Sequence, residues 1–319
     1  MGCGGSKDDQ PGSLASPTFL ALLPGDELCI SCQSALHVIT TGGEPVRLLG
    51  KGRVDAPRGV VQVGSDVFVC EMQGCRVQRL NAASGATVAS YGTKGSGDGQ
   101  LDFPMGLALS SDGGTLYVAD WGNRRVVALD AKSLQFKFAF THKSSEGAIE
   151  PCGVACGSGE VFVADQNAHQ VQVFSATDGA HVRSLGENGT KPGQFKSPSG
   201  IVVLRGVLFV AEYVGQRVQA LQLDGTPIQV LQVPDATSLY DLAVGKRLVH
   251  ALRHRLCHLR APRPGARARA AEGRAHGVMA SLARARLIAC ACAESIKQSL
   301  PSFDLDPRPT RCRRGRRFV

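Results

Sequence analysis

An all-β fold assembled from one repeated unit is what this sequence predicts, and three regularities predict it. The first is a motif, Pro-x-Gly-aliphatic, found at Pro57-Arg58-Gly59-Val60, Pro104-Met105-Gly106-Leu107, Pro151-Cys152-Gly153-Val154 and Pro198-Ser199-Gly200-Ile201, with its prolines 47 residues apart each time. The second is an apolar run that ends in an acid: FVCE at Glu71, YVAD at Asp120, FVAD at Asp165 and FVAE at Glu212. The third stands five residues beyond each acid, where Arg76, Arg125, Gln170 or Arg217 is followed by Val. A fixed period of this length marks a repeat architecture.

Within one repeat the elements are read from β-branched and aromatic runs bounded by Gly, Asp and Asn clusters. Residues 100–130 hold a turn, a short apolar strand, a hairpin turn at Ser111-Asp112-Gly113-Gly114, the strand LYVAD, the polar turn WGNR and the strand RVVAL. Outer strands follow as ATVASYG, QFKFAFT, AHVRSLG and PIQVLQV. The linkers agree as well: Gly92 to Pro104 and Gly186 to Pro198 are equal in length, with Gly95/Gly189, Gly99/Gly193 and Gln100/Gln194 in register. Ahead of these repeats, TFLALL, ELCISC, ALHVIT and EPVRLL (18–49) read as four strands that lack the acid and Arg. A sixth unit begins at Ser238-Leu239-Tyr240-Asp241-Leu242-Ala243-Val244, and the pattern breaks soon after His250. One such sheet cannot bury both faces alone, so several must stack.

The chain resembles the NHL-repeat family, whose pattern is roughly G-x-F-x-x-P-x-G-aliphatic, then aromatic-V-A-D, then N-x-R-V. The match is close over residues 50–235 and looser over 15–260. The resemblance implies a β-propeller with one four-stranded blade per repeat, here six blades with the last incomplete. The domain reading is an N-terminal tether (1–14), the propeller (15–260) and a basic tail, disordered or a short helix (261–319).

Charge divides the chain at the same place. Residues 15–252 carry 19 Lys/Arg against 21 Asp/Glu, a net −2, whereas residues 253–319 carry 16 against 4, a net +12. The near-neutral repeat region lacks the electrostatic excess that RNA recognition needs, so nucleic acid is expected only as a non-specific partner of the tail. Two readings of the tail stand: a basic segment for anionic lipid or nucleic acid, or the product of a misread exon or shifted frame. Eleven cysteines show no secretory framework, Phe19–Leu23 is too short for a signal peptide, and no apolar run approaches membrane-spanning length. Reduced thiols and a cytoplasmic setting are expected.

The opening MGCGGSK fits an acylation signal. Gly2 with Ser6 fits N-myristoylation, and Cys3 beside that lipid is placed for palmitoylation, as in the termini of Src-type kinases and G-protein α subunits, which it resembles. One myristoyl chain binds a membrane only reversibly, with a constant of about 10⁴ M⁻¹, while two lipids hold stably. Attachment to the inner leaflet is therefore expected.

No chemistry stands out elsewhere. Cys29-x-x-Cys32 is a lone pair within a strand pattern, and a strand sends i and i+3 to opposite faces. The zinc-binding half of tripartite-motif ligases, which often precedes NHL propellers, is missing, so no ligase activity carries over. His250, His254 and His258 share a face in either conformation but lie where the repeat dissolves. No metal and no cofactor are expected. The recurring acid and Arg, namely Glu71/Arg76, Asp120/Arg125, Asp165 (with Gln170) and Glu212/Arg217, are read as structural: each acid and the cation five residues on would hold the intervening turn.

The function that follows is a non-catalytic, monomeric interaction scaffold. Its partner-binding loops would be those after the acids, which differ between blades: Met72-Gln73, Trp121 with Asn123, Gln166-Asn167 and Tyr213-Val214. Trp121 and Tyr213 are the expected anchors. The alternatives are an enzyme of the amidating-lyase or lactonase type with an axial metal, and RNA binding through the basic tail.

Overall fold

The computed structural model describes residues 17–25, 27–144, 147–233, 238–244 and 249–253. Every element among them is a strand. Blade 1 comprises β1 (Phe19–Leu23), β2 (Glu27–Ser31), β3 (Leu36–Thr40) and β4 (Pro45–Leu49). Blade 2 comprises β5 (Pro57–Val63), β6 (Asp66–Glu71), β7 (Arg76–Asn81) and β8 (Thr87–Tyr91). A linker with two short strands, β9 (Thr93–Lys94) and β10 (Gln100–Leu101), leads to blade 3: β11 (Pro104–Leu109), β12 (Thr115–Asp120), β13 (Arg125–Asp130) and β14 (Phe136–Phe140). After β15 (Lys143–Ser144) and β16 (Gly147–Ala148) comes blade 4: β17 (Pro151–Gly157), β18 (Glu160–Asp165), β19 (Gln170–Ser175) and β20 (His181–Leu185). Blade 5 comprises β21 (Pro198–Leu204), β22 (Val207–Glu212), β23 (Arg217–Gln222) and β24 (Pro227–Gln232). A final pair, β25 (Leu239–Val244) and β26 (Val249–Arg253), follows.

Each blade is antiparallel in strict chain order. The first strands of the five blades and β25 form a closed circuit, each packed on the next, with β25 between β21 and β1. The repeated motif sets the inner geometry. Pro57, Pro104, Pro151 and Pro198 open their strands opposite Glu71, Asp120, Asp165 and Glu212, and the register slips between each Pro and the aliphatic residue that follows. Proline is tolerated at a strand's first residue because no ladder bond needs its missing N–H, and a bulge there bends the strand.

The core lies between blades rather than inside any one. Among the described residues apolar layers fill the seams between successive inner strands; one joins Val67, Val69 and Leu80 to Leu36 and Leu49, and another joins Ala243 to Leu20, Leu28 and Ile30. Phe162, Phe174 and Phe195 are wholly buried in the middle seams. Between blades 3 and 4, Tyr117 donates its hydroxyl hydrogen to the Ala176 carbonyl at 2.6 Å. On the same seam the rings of His142 and His181 stack at 3.7 Å and 10°. Since every blade lends both faces to its neighbours, alternation along the middle strands gives way to continuous burial, as in TLYVAD and VLFVAE.

The tether (1–14) and the tail (261–319) lie outside the described residues, as do residues 15–16 and 254–260 of the expected propeller. The β9–β10 and β15–β16 pairs were not expected from the sequence; two residues give no periodicity to read.

Candidate functional site

The acids and the turns after them gather at one end of the ring, because the second strand of each blade finishes there, opposite the prolines that start the first. Each acid is buried and bound. Asp120 accepts the backbone N–H of Asp102 at 2.7 Å, Nδ2 of Asn123 at 2.8 Å and Nε of Arg125 at 2.9 Å. Glu212 accepts the N–H of Lys196 at 2.9 Å, Nε of Arg217 at 2.7 Å and Nε2 of Gln219 at 2.8 Å. Glu71 takes the N–H of Asp55 at 3.0 Å, an ion pair from Arg76 at 3.0 Å and a bond from Gln78. Asp165 takes the N–H groups of Glu150 at 3.1 Å and Ala168 at 3.3 Å, with Gln172 at 3.4 Å.

These clusters reach further than the intervening turn. Arg125 donates Nη1 to the Ser96 carbonyl at 2.8 Å, and Nη2 to Gly97 at 3.1 Å and Gln100 at 2.9 Å; Asn123 holds the Gly95 carbonyl at 2.8 Å. Arg217 bonds the carbonyls of Thr190, Lys191 and Gln194 in the corresponding linker. In the fourth blade Gln170, which carries no charge, bonds Gly186 O at 3.2 Å. In blades 2, 3 and 5 the acid and its cation therefore staple the linker that enters the blade, whereas Gln170 reaches the linker that leaves it. Burial raises the pKa of Asp120, against the opposing pull of its donors.

Gln78, Gln172 and Gln219 were missed by the sequence reading, although R-V-Q, Q-V-Q and R-V-Q repeat the signal at one offset. In blade 3 Val127 stands at that position, and Asn123 supplies the equivalent donor.

The expected partner-binding residues divide. Trp121 is 39 % exposed and Val214 53 %, and Gln73 and Asn167 also face solvent. Met72, Gln166 and Tyr213 are half-buried. Trp121 rests edge-on against Phe103, with centroids 6.4 Å apart, and Tyr213 rests on Tyr240 at 5.1 Å. Asn123 points inward to its staple. Gly2 and Cys3 lie outside the described residues.

Along the axis runs a cavity of about 300 Å³, walled by Leu20, Val60, Leu107, Val154, Ile201 and Leu242 from six successive inner strands. Arg58, at the variable position of its Pro-x-Gly, donates to Thr18 Oγ1 and the Pro57 carbonyl, each at 3.3 Å. Cys152 and Cys156 are pushed up to about 12 by burial, so both are neutral thiols. Among the described residues no group of three or more His, Cys, Asp or Glu could hold a metal ion.

Radial four-stranded blades around an axial cavity define a β-propeller. No family model matches the chain, and no curated protein matches it. Solved structures do. A chain of a nidogen/laminin complex aligns with a TM-score of 0.57 at 15% identity, over 71% of this chain and 84% of that one. Virginiamycin B lyase from Staphylococcus aureus aligns at 0.54 and 12% identity, over 77% and 79%. A protein of unknown function from Bacteroides thetaiotaomicron aligns at 0.60 and 18% identity, over 76% and 67%. At such identities the likeness establishes the fold and leaves the chemistry to the residues.

Proposed function

We propose that this chain is a non-catalytic, NHL-type propeller of six blades, with β25 and β26 the inner strands of the sixth, which presents the turns at its acid-bearing end to a protein partner and is held at a membrane by acylation of Gly2 and Cys3. The observation that carries the reading is the exposure of Trp121 and Val214 on turns closed at their base by a buried carboxylate and the arginine five residues on. Exposed apolar side chains on a preorganised backbone lose little entropy on binding, which favours interface anchors. A neighbour of the same fold belongs to a nidogen/laminin complex, so the scaffold reading has a precedent in the fold.

The test uses the full chain as bait in cytosolic extract, with and without nuclease. Expected is a discrete protein that survives nuclease, is lost with Trp121→Ala/Val214→Ala and is kept with Val182→Ala, an equally exposed residue on the outer strand of blade 4. Capture lost with nuclease overturns the reading in favour of RNA bound by residues 261–319. Capture indifferent to the double substitution removes this face. The tether is tested apart: Gly2→Ala is expected to move the protein to the soluble fraction, and an unchanged distribution refutes acylation.

A second reading rests on the axial cavity and on the fold shared with a lyase. It is an enzyme of the amidating-lyase or lactonase type, and stoichiometric zinc or calcium in the purified full chain would favour it.

A further inference from the structure

The glycine of Pro-x-Gly is where neighbouring blades touch by main chain. A Cβ at Gly59 would stand 2.6 Å from Leu107 N and Met105 O, and one at Gly106 2.7 Å from Cys152 O. At Gly153 it would strike the Ser199 carbonyl, and at Gly200 it would lie 2.5 Å from the Cα of Asp241. Four consecutive seams therefore have no room for a side chain at this level. The series then changes: the residue that Gly200 faces, at the matching level of β25, is itself Asp241.

Its carboxyl occupies the next seam. Oδ2 accepts the backbone N–H of Leu20 at 3.0 Å, joining the last described inner strand to the first across 221 positions. Phe19, Leu20, Leu242 and Ala243 around it are apolar and buried. Burial pushes the Asp241 carboxyl up to about 7, opposed by the N–H groups of Leu20 and Leu242. Few other ionisable groups face it. From β17 comes Cys152, a neutral thiol at about 12, and behind it Arg58 of β5. Its own strand offers Tyr240, whose hydroxyl is also held at about 12. Strand β1 and the facing part of β21 bring no ionisable side chain, and β26 brings His250 and Arg253, whose side chains lie outside the described residues.

We propose that Asp241 is a proton-operated clasp that closes the ring between β25 and β1, tight when its carboxyl is neutral and loosened when it ionises. The geometry gives the mechanism. At the four seams closed by a Pro-x-Gly glycine the contact at this level is between backbones and carries no titratable group. At this seam the filler is a carboxyl in an apolar layer, and its charged form gains most by reaching water. Opening the seam lets it do so. A group whose closed-state pKa is raised binds a proton that the open state releases, so closure weakens as pH rises from the ordinary carboxylate range to the raised value, and is level above it.

The test is hydrogen exchange of the full chain, followed on the peptide that covers β1 and referred to a peptide covering β12, with intrinsic rates corrected. Expected is a relative protection of β1 that falls about tenfold per pH unit between about pH 5.5 and about pH 7 and then flattens, with no such fall in Asp241→Asn. A flat wild-type ratio, or the same fall in Asp241→Asn, overturns the proposal. Should Asp241→Asn not fold, the carboxyl carbon of Asp241 in the wild type is titrated by NMR; a midpoint in the ordinary range near 4 overturns the proposal equally.

Discussion

Replacing Glu212 with Ala removes the acceptor of three donors at once: Arg217 Nε, Gln219 Nε2 and the Lys196 N–H. Gln219 retains the Gln194 carbonyl, but Arg217 is left as a charge with a side chain only 7 % exposed. Breaking a buried pair from one side costs about 4 kcal/mol, most of it the penalty of the stranded partner. That origin makes a graded series. In blade 3 the cation Arg125 is 16 % exposed, and in blade 2 Arg76 is 39 % exposed. Asp120→Ala should therefore cost less than Glu212→Ala, and Glu71→Ala least, about 2 kcal/mol, chiefly for the orphaned Asp55 N–H, since Gln78 keeps the Arg53 carbonyl. Urea unfolding followed by far-ultraviolet circular dichroism at neutral pH reads the order, provided the slopes agree among variants. Adding Arg217→Met to Glu212→Leu should recover at least half of the loss, because both charges then leave together. Equal costs for the three acids, or the reverse order, would refute the argument that the stranded cation sets the penalty.

Three further outcomes follow from the same geometry. Gly106→Ala should destabilise by about 2 kcal/mol or more, since its Cβ meets backbone that cannot swing aside, whereas Gln73→Ala on an exposed turn should stay within about 0.5 kcal/mol; thermal midpoints compare them. Burial and then the stacked His142 lower the pKa of His181 below its ordinary 6.5. The stability it contributes is whole above that value and is lost as pH falls through it, so His181→Gln should flatten the acid side of a stability–pH curve, and an unchanged slope would count against the stack. Tyr117→Phe should cost about 1 kcal/mol for the lost bond to Ala176, visible as a small drop in urea midpoint.

Much of this architecture can be read from the sequence because its determinants are local and repeated. The acid-terminated runs became the second strands of blades 2 to 5, and TFLALL, ELCISC, ALHVIT and EPVRLL became the four strands of blade 1. Periodicity reveals positions but not partners. Arg125 and Arg217 recur at one offset from their acids, yet most of their bonds go to carbonyls over twenty residues earlier in the linkers, which no local pattern shows. The glycine of Pro-x-Gly resembles a turn former, while its necessity comes from the next blade. Asp241 was hidden for the opposite reason: Leu239-Tyr240-Asp241-Leu242 has neither the Pro nor the Gly that would have aligned it with Pro198-Ser199-Gly200-Ile201. Exposure at the turns was legible only as variability, which does not separate Trp121, facing solvent, from Asn123, turned to its staple.

The stapling of linkers also fixes what can be exchanged between propellers of this kind. Arg125 is covalently part of blade 3, but the carbonyls it holds at Ser96, Gly97 and Gln100 precede that blade's first strand. A graft cut at Pro104 would carry the cation and abandon its acceptors, whereas one cut just after Tyr91, where the preceding outer strand ends, moves both together. The heritable module is thus out of phase with the visible sheet: it opens on a loop and closes on an outer strand. Recombination that respects that offset should yield folded chimaeras far more often than recombination at the blade edges.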